Sequence, residues 1–191
     1  MGIDASVENL ERRKKDLENY SYIISTCRCT DVSRDEVFQR KFDHFYRVRR
    51  NSTWRQIYFR LFEGNKKNAC ITFEDILRSI YERTGRIEAS FSSKMLATLN
   101  PEMPIWDSIV LAKLGMKPIL NLEKEERMKK TVEMYNAIIE WYEKFNRTPE
   151  AQRYVEAFDC AFPEYKNFTK TKKIDFLIWG SASSDLFAKS E

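Results

Sequence analysis

A chain of 191 residues, 42% hydrophobic and 14% aromatic, has apolar material for one sizeable core and is too rich in it for a disordered segment. Its longest uncharged apolar runs fall well short of the roughly 20 residues that a membrane span needs, and the first stretch, MGIDASVENLERRKKDLENY, lacks the apolar core of a secretory signal. The net charge of +4 is a mild excess that suits an anionic partner without demanding one.

In chain order, the opening Met-Gly is a poor myristoylation signal, because Ala5-Ser6 matches that pattern weakly. The basic run RRKK at 12–15 falls on a leading helix, where a solvated face is the simplest role. YSYIIS at 20–25 reads equally as a short strand or a buried helix. Cys27 and Cys29 follow, with Cys70 and Cys160 further on. Cys27-x-Cys29 cannot form a regular zinc site alone, and the single histidine, His44, is not at ligand spacing. The expectation is no metal and no cofactor, with unpaired, mostly buried thiols in a reducing cytoplasm.

Helical spacing then dominates. Residues 35–48 hold Val37, Phe38, Phe42, Phe45 and Tyr46 on one side, and 53–62 align Trp54, Ile57, Tyr58, Leu61 and Phe62. Residues 73–81 repeat the pattern, with Thr72 as N-cap, Asp75 as a capping-box variant and Gly85 as the stop. A helix over 91–99 turns Met95, Leu96 and Leu99 inward. NPEMP breaks it, since Pro101 and Pro104 cannot continue the hydrogen-bond ladder. Asp107 opens the next helix, which carries Ile109, Val110 and Leu114 inward and stops at Gly115. A long helix covers about 124–146, and Thr148-Pro149 supplies an N-cap and N1 proline for a helix over about 149–161. IDFLIW at 174–179 is again a short strand or a buried helix.

The whole predicts an all-α, multi-helix globular domain of roughly seven to nine helices, with loops at 63–72, 85–91, 100–106 and 162–172. It reads as a single domain over 1–191, in which 30–120 and the combination of 1–29 with 121–191 form two helical subdomains. The five glycines form neither a dinucleotide fingerprint nor a phosphate loop.

Chemistry concentrates in 73–116: helix, the loop TGRIEAS, helix, a proline-bearing break, then PIWDSIVLAKLGM. This arrangement resembles the helix-hairpin-helix DNA glycosylase superfamily, and its archaeal-type 8-oxoguanine glycosylases in particular. The resemblance implies two helical subdomains, DNA as partner, and Asp107 as the catalytic aspartate that activates water or stabilises an oxocarbenium-like sugar. Two features depart from that family. The hairpin has Gly85, Arg86 and Glu88 where a Gly-x-Gly turn would hold a phosphate. The Schiff-base lysine of bifunctional members falls near Ser90 to Ser92, and Lys94 lies about one turn later. If the chain is an enzyme, it is therefore a glycosylase-like hydrolase without that lysine.

Each candidate has a structural reading beside the functional one. Asp107 is a helix cap or a cap that also does chemistry. Trp106 is core, or a wall of a substrate pocket on which a base stacks. Arg47, Arg49, Arg50, Arg55 and Arg60 crowd one helical hairpin among aromatics; they make ion pairs or contact phosphates, Arg47, Arg50 and Arg55 being the candidates. Arg86 and Lys94 flank the hairpin as further phosphate contacts, while Ser90, Ser92 and Ser93 suit capping. The competing function is a non-catalytic helical interaction module with a protein partner. No membrane partner is expected.

Overall fold

Why such a chain folds as helices is visible at their ends. The computed structural model describes residues 2–117, 119 and 122–181, and among these there are ten α-helices and no strand. They are α1 (Ile3–Glu11), α2 (Lys14–Thr26), α3 (Glu36–Tyr46), α4 (Ser52–Asn65), α5 (Phe73–Thr84), α6 (Ala89–Leu99), α7 (Ser108–Lys113), α8 (Lys124–Phe145), α9 (Pro149–Ala161) and α10 (Lys170–Gly180).

Side-chain oxygens cap α3, α4, α5, α7, α9 and α10, supplied by Asp35, Asn51, Thr72, Asp107, Thr148 and Thr169. Thr72 and Asp75 form a full capping box, each accepting the other's backbone N–H at 3.1 Å. Both ambiguous apolar runs are helical: YSYIIS lies in α2 and IDFLIW in α10. The RRKK run does not sit on one continuous helix, because the chain turns between α1 and α2 at Arg12-Arg13.

Buried side chains from all ten helices form one hydrophobic cluster, in which Leu10, Leu17, Phe38, Tyr58, Tyr135 and Phe176 are examples. Both expected groupings, 30–120 and 1–29 with 121–191, contribute to it; residues 182–191 lie outside the described part. α10 is the central rod, with every residue from Thr171 to Gly180 buried. α1 packs along it, and the contact is close at Gly180, where a Cβ would stand 2.3 Å from the Ser6 carbonyl oxygen. Asn9 Nδ2 donates to the Gly180 carbonyl there at 3.0 Å.

Two details differ from the sequence reading. Val37, expected on the inner face of α3, is 43% exposed, because the buried stripe runs through Phe38, Phe42, Phe45 and Tyr46. The thiols are all free, but Cys27 is the buried one, while Cys29, Cys70 and Cys160 are exposed. No described helix is long and apolar enough to cross a membrane.

Candidate functional site

The break between α6 and α7 is held from four sides. Arg28 Nη2 donates to the Leu99 carbonyl at 2.9 Å, and Thr169 Oγ1 to the Pro101 carbonyl at 2.7 Å. Tyr135 Oη donates to the Pro104 carbonyl at 2.9 Å, and the Trp106 N–H donates to Ser93 Oγ at 2.9 Å. Prolines at 101 and 104 end α6, and these bonds then set the direction in which the chain leaves. The outcome is a fixed position for Asp107. Its Oδ1 accepts the N–H groups of Ile109 and Val110, both at 2.9 Å, so it does cap α7. Its Oδ2 receives no hydrogen bond from any described residue.

Asp107 also lines a cavity of about 510 Å³. Trp106 stands beside it from the same loop, and Lys94 and Ser90 come from α6. Arg47 and Arg49 enter from the α3–α4 turn, Arg13 from the α1–α2 turn, and Trp179 from α10. Four cations, one carboxylate and two indoles thus line one recess, though they are spread over more than 160 positions of sequence; Arg13 is ion-paired with Asp16, its Nε and Nη2 donating to Oδ2 at 2.9 and 2.6 Å. Such a lining combines positive potential for an anionic group with flat faces for a ring.

Lys94 is half-buried, and its Nζ donates to the Tyr46 carbonyl at 3.0 Å and stands 5.0 Å from the centre of the Phe91 ring. Burial lowers its pKa to about 8; Asp107 opposes this, and the charges of Arg47 and Arg50 add to it. Burial also raises the pKa of Asp107, against the pull of the Val110 N–H and of Lys94. Each group therefore holds its charge partly by virtue of the other.

The remaining candidates are placed elsewhere. Arg50 grips Glu88 through Nε and Nη2 at 2.9–3.1 Å and lies over the Trp54 and Phe91 rings. Arg55 is ion-paired with Asp43. Both lie outside the cavity lining and tie helices together, which makes them structural cations here. Arg86 is exposed on the hairpin, also outside that lining. His44 is exposed in the last turn of α3. Ser92 Oγ donates to the Glu88 carbonyl and Ser93 Oγ to that of Ser90, so these hydroxyls bond back along α6 instead of capping it. Among the described residues no group of three His, Cys, Asp or Glu side chains could hold a metal ion.

Two features were out of reach of the sequence reading. Arg13 enters the cavity from a turn whose basic run reads as solvated, and nothing local marks it. Behind the cavity lies a wholly buried ion pair, Lys172 Nζ to Asp175 Oδ2 at 2.9 Å, with Tyr142 Oη donating to Asp175 Oδ1. Its one signal is a Lys–Asp pair three apart inside an apolar run with no polar face.

No family model, curated protein or solved structure matches the chain. The geometry alone therefore characterises it: an all-helical domain with a basic, indole-walled cavity that has a helix-capping aspartate in its wall.

Proposed function

We propose that this chain binds nucleic acid and takes one flipped nucleotide into the cavity, as a glycosylase-like base-excision protein. The observation that carries this reading is the placement of Asp107 in a cavity wall together with Lys94 and Trp106. The lysine suits the phosphodiester, and an indole suits the base. The Asp107 carboxylate would stabilise positive charge at the sugar as the N-glycosidic bond breaks, the bond's electron pair leaving with the base, while water adds its oxygen to the anomeric carbon and its released proton neutralises the departing base. Lys94 helps keep that carboxylate ionised.

The test is incubation with duplexes carrying 8-oxoguanine, uracil or an alkylated base. Alkali-labile strands with wild type, and none with Asp107→Asn, support it. If no duplex is cleaved, and wild type and Asp107→Asn bind DNA equally poorly, the proposal fails.

One observation favours the alternative, a non-catalytic interaction module. The head of the hairpin carries buried Glu88, neutralised by Arg50, where a phosphate would otherwise be received. An oligomer that is stable in size-exclusion chromatography and indifferent to DNA would favour that reading; salt-sensitive DNA binding would count against it.

A further inference from the structure

Two tryptophans are sealed into the core with an indole N–H that has no acceptor. Trp54 in α4 and Trp179 in the last turn of α10 are each 7% exposed, and the Nε1 of each makes no hydrogen bond. A buried indole N–H ordinarily finds a partner, because an unpaired one has given up its bond to water for nothing. The two residues are placed differently. Trp54 stacks on Tyr58 with 5.0 Å between ring centres, packs against Phe91, and lies outside the cavity lining. Trp179 lines the cavity that holds Asp107, Lys94 and Trp106.

The protein side of Trp179 offers no acceptor. The rings of Phe45 and Phe176 stand 5.6 and 5.8 Å from its own, and Lys172 Nζ stands 5.8 Å away over the ring. An ammonium group only donates, and this one is bonded to Asp175 Oδ2, while the other oxygen of Asp175 takes the Tyr142 hydroxyl. The side from which an acceptor can come is the cavity. Its volume of about 510 Å³ suits one planar ring with its sugar and is far too small for a duplex. Trp106, in the same lining, supplies a flat face for that ring.

We propose that Trp179 is a specificity-determining residue of the cavity, its Nε1–H donating to an acceptor on the edge of a bound nucleobase, a keto oxygen or an unprotonated ring nitrogen. That the ring is a nucleobase rests on the base-excision reading above; the donor role rests on the orphan N–H. The base arrives either in a free nucleoside or as a unit of a strand.

The experiment follows the four indole N–H signals of wild type by NMR, assigned through the backbone so that no variant is needed to read them. The probes are 2′-deoxyuridine, 8-oxo-2′-deoxyguanosine, duplexes carrying the same two bases, and a duplex with a tetrahydrofuran abasic unit in their place. The Trp179 signal should move to lower field with at least one nucleoside and with the duplex carrying that base, and should stay in place with the abasic duplex. The Trp54 signal should stay in place throughout. Trp179→Phe keeps a ring and removes the donor, so it should bind the base-bearing duplex about tenfold more weakly and the abasic duplex as wild type does. The proposal is overturned if no base-bearing probe moves the Trp179 signal, if the abasic duplex moves it equally, or if Trp54 moves with it. Equal weakening of both duplexes by Trp179→Phe overturns it too, since that is what a purely structural residue would do. A moved Trp179 signal with the nucleosides, without binding or cleavage of any duplex, would retain this inference and sink the base-excision reading. Duplex cleavage with the Trp179 signal unmoved would do the reverse.

Discussion

Two lysine–aspartate pairs sit close together in this molecule and are built in opposite ways. Lys172 and Asp175 lie three apart on α10, are both fully buried, and bond directly at 2.9 Å, with Tyr142 completing the set. Lys94 and Asp107 come from different elements, line an open cavity, and make hydrogen bonds to backbone: Lys94 to the Tyr46 carbonyl, Asp107 from the α7 N–H groups. The first pair closes on itself and stabilises a helix that has no polar face. The second retains capacity, a carboxylate oxygen and an ammonium group, beside a space that can hold a ligand. Equal residue types thus mark structure in one place and a candidate site in the other, and what distinguishes them is where their polar atoms are satisfied.

The largest expected effect breaks the closed pair. Asp175→Ala leaves Lys172 buried and unpaired, and should destabilise the fold by about 3–5 kcal/mol in denaturant titration. The double change Lys172→Met with Asp175→Leu should cost much less, because no charge is left stranded. If the single and double variants are equally unstable, a stranded charge is not what destabilises α10.

A smaller effect separates the two roles of Asp107. Asp107→Ala should lower stability by about 0.5–2 kcal/mol, because α7 loses its cap, whereas Asp107→Asn keeps the cap and should melt close to wild type. Loss of base release in Asp107→Asn, with its melting temperature unmoved, assigns the chemistry to the carboxylate.

Ser93→Ala is next. It removes the acceptor of the Trp106 N–H and should cost about 1 kcal/mol, with a change in the fluorescence of the cavity indole.

The smallest effect is a pH dependence of the open pair. As pH rises through about 8, Lys94 loses its charge, so anion binding should weaken across that range, and Lys94→Met should abolish that step. The sign for stability is opposite. Between about pH 8 and 10.5 the unfolded chain holds a proton on Lys94 that the folded protein has released, so the contribution of this group to stability rises with pH. Urea titrations of wild type and Lys94→Met at pH 7.5, 9 and 10 would show it as a slope present in one and absent in the other.

The sequence was legible wherever a rule acts over one or two helical turns. The apolar stripes of α3, α4, α5 and α8, the capping box at Thr72, the Thr148-Pro149 start and the Asn100–Pro104 break all follow from spacing and backbone chemistry. The site was legible in part. Asp107, Trp106, Lys94 and Arg47 are brought into one cavity, but Arg50 and Arg55 are absorbed by Glu88 and Asp43. Nothing in a basic helical stretch tells which arginines will meet an acid from another element. IDFLIW had no readable period, because a segment buried on all sides has no polar face to set one, and YSYIIS, in which Tyr20 and Ile23 are buried and Ser25 is exposed, was too short to show its period.

What the sequence determined by itself is therefore a set of capped helices and their breaks, including an aspartate compelled to open a helix after two prolines. The tertiary structure alone decided that this aspartate faces a cavity, that Arg13 and Trp179 reach the same cavity from opposite ends of the chain, and that Lys172 is sealed inside while Lys94 is not. The physical reason is range. Caps and turns are satisfied by atoms a few residues away, whereas burial and charge pairing depend on which helix faces which, and that is set by packing the whole core at once.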